Sequence, residues 1–315
     1  MAHMEAAIPG FEQRLMDAAV AGNPFVTGAA QHLLAAGGKR LRPQLVALAA
    51  GLGSPDEERL IRAALVVELT HVASLYHDDV MDEATLRRGV TSANAHYGNS
   101  VAILTGDFLF ARASAVVATL GVDFVARQAD TFARMVQGQI AEFKGAPDGT
   151  DPMRHYLGVL SDKTASLIAT SAVFGGMVAG VDEAGLAALD RYGEALGMAF
   201  QLADDLLDIT SDVDGKRAGT DLRQGVPTLP LFLLRVSGDP DDQALAASIG
   251  PGMTDDAVAA SVAALRVHPV LAQASDVVGG YAAQARAELA ALPEGAARDR
   301  LAALVADVTG RVRLG

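Results

Sequence analysis

The chain has no cysteine and no tryptophan, and aromatic residues make up only 5% of it. The missing cysteines exclude disulfides, thiolate chemistry and cysteine-based zinc sites, and suit a reducing cytoplasm. Positive charge is also scarce. Against 38 Asp and Glu there are 25 Lys and Arg, a net charge of −13. Such a chain is not expected to hold nucleic acid by electrostatics. No signal peptide is visible, and the opening MAHMEAA reads as an expression scar with Met4 as the native start. The longest uncharged run, 164–181, contains Thr and Ser and ends among small residues. It reads as a buried core helix, so no transmembrane segment is expected. Strand-like alternation is almost absent.

What is present is apolar and helical. Half of the 315 residues are hydrophobic, enough for a large core. Asn23-Pro24 and Ser54-Pro55-Asp56-Glu57-Glu58 are strong helix starts. Leu60, Ile61, Ala64, Leu65, Val67, Val72 and Leu75 keep helical spacing after the second of them. Further helices are predicted near 99–120, 122–144, 161–180, 184–210, 227–236, 241–249, 254–266, 268–291 and 295–313. No linker divides the chain, so one all-α domain over 1–315 is expected, a bundle of more than ten helices.

Two acidic triplets interrupt this pattern. Asp78, Asp79 and Asp82 follow a long apolar helix, and Asp204, Asp205 and Asp208 repeat the arrangement in FQLADDLLD. In D-D-x-x-D the outer aspartates share one helix face, and the middle one points about 100° away. Like charges there repel, and carboxylates at a helix C-terminus oppose the helix dipole. A cation resolves both problems. Oxygen ligands without His or Cys select a hard ion, Mg²⁺, with Mn²⁺ able to substitute and Zn²⁺ not needed. The few cations sit in tight groups: Lys39, Arg40 and Arg42 in GGKRLRP, Arg87-Arg88 after the first aspartates, Lys163 at a helix start and Lys216 after the second aspartates. Guanidinium forks and lysine charges suit diphosphate oxygens. The combination points to two diphosphates, one gripped through metal and one directly by cations.

The stretches LTHVASLYHDDVMD, LRRG, GDFLFARA, DKTASL and FQLADDLLD, in that order, resemble the trans-type polyprenyl diphosphate synthases. The resemblance runs from GGKRLRP to GVPTLP. It implies the all-α isoprenoid synthase bundle, with the aspartate motifs facing each other across a deep central cavity, and a homodimer. The implied reaction joins isopentenyl diphosphate to an allylic diphosphate of the farnesyl or geranylgeranyl type. Asp78, Asp82 and Asp204 are implied as direct Mg²⁺ ligands, with Asp79, Asp205 and Asp208 in support. Arg87, Lys163, Gln201 and Lys216 are implied for the allylic diphosphate, and Thr164 for the allylic cation. Lys39, Arg42, His71 and Arg88 are implied for isopentenyl diphosphate. Where many members have Lys in G-K-D, this chain has Gly219-Thr220-Asp221, with Arg223 nearby.

Two other readings exist: a class I terpene cyclase, which usually lacks a second D-D-x-x-D, and a silent partner subunit, which tends to lose the aspartates. Product length turns on the residues four and five before Asp78, Ser74 and Ala73. Small residues there resemble the open shaft of synthases making products longer than C20; bulky aromatics resemble the floor of the shorter-chain C15 and C20 enzymes. A floor deeper in the shaft, at Phe108, Phe132 or Met135, is the alternative place for the stop.

Overall fold

The computed structural model describes residues 8–210 and 218–310. In chain order the helices are α1 (Phe11–Ala18), α2 (Pro24–Ala35), α3 (Leu41–Ala50), α4 (Glu57–Met81), α5 (Ala93–Tyr97), α6 (Asn99–Val117), α7 (Val122–Lys144) and α8 (Pro152–Leu160). After them come α9 (Ser166–Ala179), α10 (Glu183–Thr210), α11 (Thr220–Gln224), α12 (Leu229–Val236), α13 (Pro240–Ser248), α14 (Asp255–Arg266), α15 (Val270–Glu288) and α16 (Ala296–Thr309). Strand structure among the described residues is one two-residue hairpin, β1 (Leu86–Arg87) against β2 (Val90–Thr91), with Arg87 opposite Val90. The all-α class expected from the sequence is therefore the observed one.

Local chemistry explains the helix starts. The Asn23 side chain accepts from Phe25 N with Pro24 in the first turn, and Asp56 accepts from Arg59 N ahead of Glu57 and Glu58. The predicted long helix is α4, 25 residues ending on the first aspartates. One expectation needs correcting. Lys163 does not start a helix. Ser161–Ala165 is a π-helical turn that joins α8 to α9, and Lys163 and Thr164 lie inside it. The uncharged run is a core helix: Leu167, Ile168, Ala169, Ala172 and Phe174 of α9 are buried. Helix α6 alone among single described helices has the length and apolarity to cross a membrane, and only 33% of that stretch is buried.

The described chain falls into two compact units. The first is formed from the described parts of Met1–Arg134, Leu167–Gly193 and Ala291–Leu301. Its core includes Phe11, Leu33, Leu69 and Tyr76, whose hydroxyl donates to Ala29 O and ties α4 to α2. Phe124 packs on Phe174 with ring centroids 5.0 Å apart. The second is formed from the described parts of Met135–Ser166, Glu194–Ala290 and Ala302–Gly315. Tyr156, Leu202, Leu206, Phe232 and Val278 pack together in it.

Small residues set the helix approaches inside the first unit. A methyl group on Gly175 of α9 would lie 2.3 Å from Val46 O and 2.7 Å from the Ala49 methyl of α3. Neither atom is a flexible tip, so the helices must part. Gly175→Ala is therefore expected to destabilise the fold by about 1–3 kcal/mol, read as a lower denaturant midpoint with an unchanged m-value.

Candidate active site

The first aspartates occupy the end of α4, where Asp82 is the C-cap. They do not behave alike. Asp82 is exposed and Asp78 half-buried, one turn apart on the same face. Asp79 is fully buried and accepts a 2.6 Å hydrogen bond from Arg87 Nε. Its second oxygen is buried without a hydrogen-bond partner. Burial raises its pKa, against the pull of Arg87. The hairpin thus folds back onto α4: Ala84 N donates to Asp79 O, and β1 delivers Arg87 to the side chain.

Arg88 leaves the hairpin turn in the other direction. Its Nη1 donates to Leu33 O at 3.2 Å and Gly37 O at 2.5 Å. The guanidinium lies over Gly38, where a methyl group would meet it at 3.1–3.3 Å. Any side chain there would press the cation aside by a few tenths of an ångström, and the φ of 151° also favours glycine. Arg42 stands nearby with a buried, unpartnered Nε, and burial lowers its pKa to about 10. His71, on the face of α4 two turns below Asp78, is held well below the ordinary histidine pKa by burial and by Arg42, Arg88, Arg40 and Arg87. Lys39 is exposed at the same turn. The first unit therefore gathers Arg42, His71, Arg87, Arg88 and the first aspartates in one place. Ser74 is partly exposed and donates to His71 O; Ala73 is fully buried where α6 crosses, with Gly106 facing its carbonyl.

The second unit shows the same division among its aspartates. Asp204 is exposed. Asp205 is buried and accepts from the Tyr156 hydroxyl and from Leu229 N. Burial raises Asp205 to about 6. Asp208 accepts from Thr220 N and Asp221 N at 3.1 and 3.0 Å. Thr164 and Gln201 lie 3.4 Å apart, and Lys163 Nζ pairs with Glu142 at 2.5 Å. The π turn is clamped from two sides. Methyl groups on Gly138 and Gly197 would lie 2.6 Å from Lys163 N and 2.5 Å from Ala165 Cα. Lys216 lies outside the described residues. Arg223 pairs with Asp255 at 3.0 Å.

Sequence reasoning missed Asp221, Glu142 and Glu68. Asp221 is driven up to about 7 by burial and by Asp208, Asp205 and Asp204. It sits in the tripeptide noted only for its missing lysine. Glu142 and Glu68 lie on regular helices with no local signal of their own.

A divalent cation fits part of this donor set. No described cluster of three carboxylates or imidazoles forms a ready cage. Asp78 and Asp82 in the first unit, and Asp204 in the second, are exposed or half-buried hard oxygen donors of the kind that suits an ion sharing water and substrate phosphate. Asp79 and Asp205 are turned inward to Arg87 and Tyr156.

Comparison with known proteins agrees with this chemistry. The polyprenyl synthetase family model matches residues 23–265. Nonaprenyl diphosphate synthase of Mycobacterium tuberculosis is 50% identical over 279 residues, 87% of this chain and 83% of the relative. Component 2 of heptaprenyl diphosphate synthase from Geobacillus stearothermophilus is 40% identical, over 87% of this chain and 86% of its own. Geranylgeranyl pyrophosphate synthase from Corynebacterium glutamicum, solved with calcium and isoprenyl diphosphate, superposes with a TM-score of 0.87 at 40% identity, covering 99% of this chain and 96% of that one. The chain belongs to the polyprenyl synthetase family, whose members are prenyltransferases.

Neutral His71 generates a pH prediction. Its folded pKa is below the value of about 6.5 in the unfolded chain, so the unfolded state binds the extra proton first. Its contribution to stability is present above about pH 6.5 and is lost as pH falls below it. Between pH 7 and pH 5 the wild type is expected to lose more stability than His71→Gln, seen as converging denaturation midpoints.

Proposed function

We propose that this chain condenses isopentenyl diphosphate with a farnesyl- or geranylgeranyl-type allylic diphosphate, giving a linear all-trans polyprenyl diphosphate longer than C20. The single observation that carries the reading is the doubled site: an aspartate-bearing helix end with its own cations in each unit. Asp78, Asp82 and Asp204 would hold Mg²⁺, with Mn²⁺ as a substitute, and Asp79, Asp205 and Asp208 would support them. When bound, the ion neutralises the leaving diphosphate.

Arg87, Lys163, Gln201 and Lys216 bind the allylic diphosphate. The opposite directions of Arg87 and Arg88 support a division of labour, with Lys39, Arg42, His71 and Arg88 taking isopentenyl diphosphate. Lys163 exchanges Glu142 for phosphate oxygen when substrate arrives. Ionisation of the allylic C–O bond leaves a cation beside Thr164, in an apolar setting that excludes water. The isopentenyl double bond attacks it, and the proton lost from the adduct passes to the released diphosphate. A neutral His71 is suited to donate to phosphate through one ring nitrogen while accepting at the other.

Product length rests on Ser74. Ala73 is small where α6 packs against α4, so its size serves packing as well. Ser74 is partly exposed on the Asp78 face about 6 Å below it, and its small side chain leaves a growing tail room. The names of the nonaprenyl and heptaprenyl relatives support a long product. The geranylgeranyl relative favours the second reading, a C20 product.

The same reading includes a homodimer, cytoplasmic, with 1–315 as one catalytic domain. The outward face of α6 supports the dimer. Ile103 and Leu104 are 43% and 66% exposed there, and a second copy would cover them. Leu104→Lys is expected to yield monomers by sedimentation, with helix content unchanged.

Labelled isopentenyl diphosphate and farnesyl diphosphate, given with Mg²⁺ to the purified chain, test the proposal. A labelled linear product longer than C20 is expected. Asp78→Ala or Asp204→Ala is expected to lower turnover by a factor of 100 or more, as is exhaustive EDTA treatment, roughly the 3 kcal/mol scale of a lost transition-state contact. Ser74→Phe is expected to shorten the chain while diphosphate release continues. A cyclic hydrocarbon, or no elongation by the wild type, overturns the reading.

A further inference from the structure

The GGKR turn contains a cation to which the proposed reaction gives no task. Arg40 has φ 50°, a left-handed conformation in which a non-glycine residue is strained. Its side chain is completely buried, yet four hydrogen bonds meet it. Nε and Nη2 fork onto Glu12 of α1, both at 2.9 Å; Nη1 donates to Glu68 of α4 at 2.7 Å; Nη2 also donates to Leu34 O at 3.1 Å. Arg88, the neighbour of this group, is likewise a non-glycine residue at positive φ, 53°. Two strained arginines at one place imply that the surroundings fix their side chains more strongly than their backbones resist.

Glu68 is the group that unites them. Its side chain is 2% exposed, and the oxygen that accepts from Arg40 lies 3.9 Å from Arg88 Nη2. Its charge also opposes the repulsion between Arg42 and Arg88. Glu68 precedes His71 by one helical turn, on the same face. The cluster thus holds three guanidiniums, two carboxylates and a neutral imidazole, a residual charge of +1 with one buried donor, Arg42 Nε, still unpartnered. A purely structural ion pair would satisfy every donor. Here the Arg40 pairing is itself satisfied, and the donor and positive charge left for an anion belong to Arg42 and Arg88 beside it.

We infer that Arg40 and Glu68 are positioning residues that hold Arg42 and Arg88 in place for the diphosphate of isopentenyl diphosphate, and that Glu12 makes helix α1 part of that support. The inference rests on the reading of Arg42, His71 and Arg88 as the groups that take this diphosphate. Neither Arg40 nor Glu68 has to touch the substrate.

The test removes both partners at once, because deleting one alone leaves a buried charge unpaired. In Arg40→Met/Glu68→Gln the remaining carboxylate, Glu12, is partly exposed. With Mg²⁺ and farnesyl diphosphate, KM for isopentenyl diphosphate is expected to rise roughly tenfold or more, with KM for farnesyl diphosphate within about twofold. Glu12→Gln, which leaves the buried Arg40–Glu68 pair intact, is expected to raise the same KM about two- to fivefold and decides the matter if the double variant does not fold. Unchanged isopentenyl KM in the variants that fold, or an equal rise in both constants, overturns the inference. Arg42→Ala separates the two levels. If it raises isopentenyl KM while the supporting variants do not, positioning fails alone; if it does not, the site reading fails and the inference with it.

Discussion

A carboxylate taken out of water has to be met by a donor, and in this protein that requirement falls on the middle aspartate of each D-D-x-x-D stretch. Helix geometry turns it away from its two neighbours and into the core. Asp79 is met by Arg87, and Asp205 by the Tyr156 hydroxyl and Leu229 N. Much of the local architecture follows. The hairpin has to return to α4 to deliver Arg87. The start of α12 has to lie against α10 to present Leu229 N. The outer aspartates stay at the surface or half-buried, where a cation can reach them. One spacing in the sequence therefore yields, at each helix end, an internal strut flanked by one exposed and one half-buried carboxylate.

The same rule orders the cations. Arg87 is engaged by its aspartate, Arg88 by backbone carbonyls and Arg40 by two glutamates. Each is fixed before substrate arrives, and fixed charges lose little freedom on binding. Lys163 differs, since its partner is another flexible side chain at a partly exposed place. On the proposed reading Lys163 exchanges Glu142 for phosphate, and such a pair is easier to part than a buried one, because exposed ion pairs contribute little. The rigid guanidinium donors of the first unit thus contrast with the Lys163 ammonium of the second, whose ion pair is partly exposed.

Much of this was legible in the sequence, and the limits have physical causes. Helix α4 followed from its cap and spacing, and α7 and α10 from apolar content over more than 20 residues, which is hard to mimic. The short helices α5 and α11 and the hairpin were not, because too few residues carry the pattern. The turn around Lys163 read as a helix start because a π turn conserves helical composition; what marks it is the close approach of Gly138 and Gly197, which lies in three dimensions only. The aspartates and basic groups were visible as an anomaly, charge in an apolar chain. Glu68 was not, because a single glutamate at a helical position looks like any solvated one until its exposure is known.

That last failure points to how polar residues divide in such a chain. A charge that binds a ligand tends to come in a cluster, since phosphate needs several donors, and clusters are conspicuous in sequence. A charge that supports those donors needs only one or two partners, and these come from elsewhere in the chain: Glu12 and Glu68 are each 28 positions from Arg40. Distance in sequence hides the pair, while the absence of water makes it strong and intolerant of single changes. On the proposed reading, the residues that meet the diphosphate are therefore recoverable from spacing, and the residues that aim them emerge only once burial and donor geometry are known.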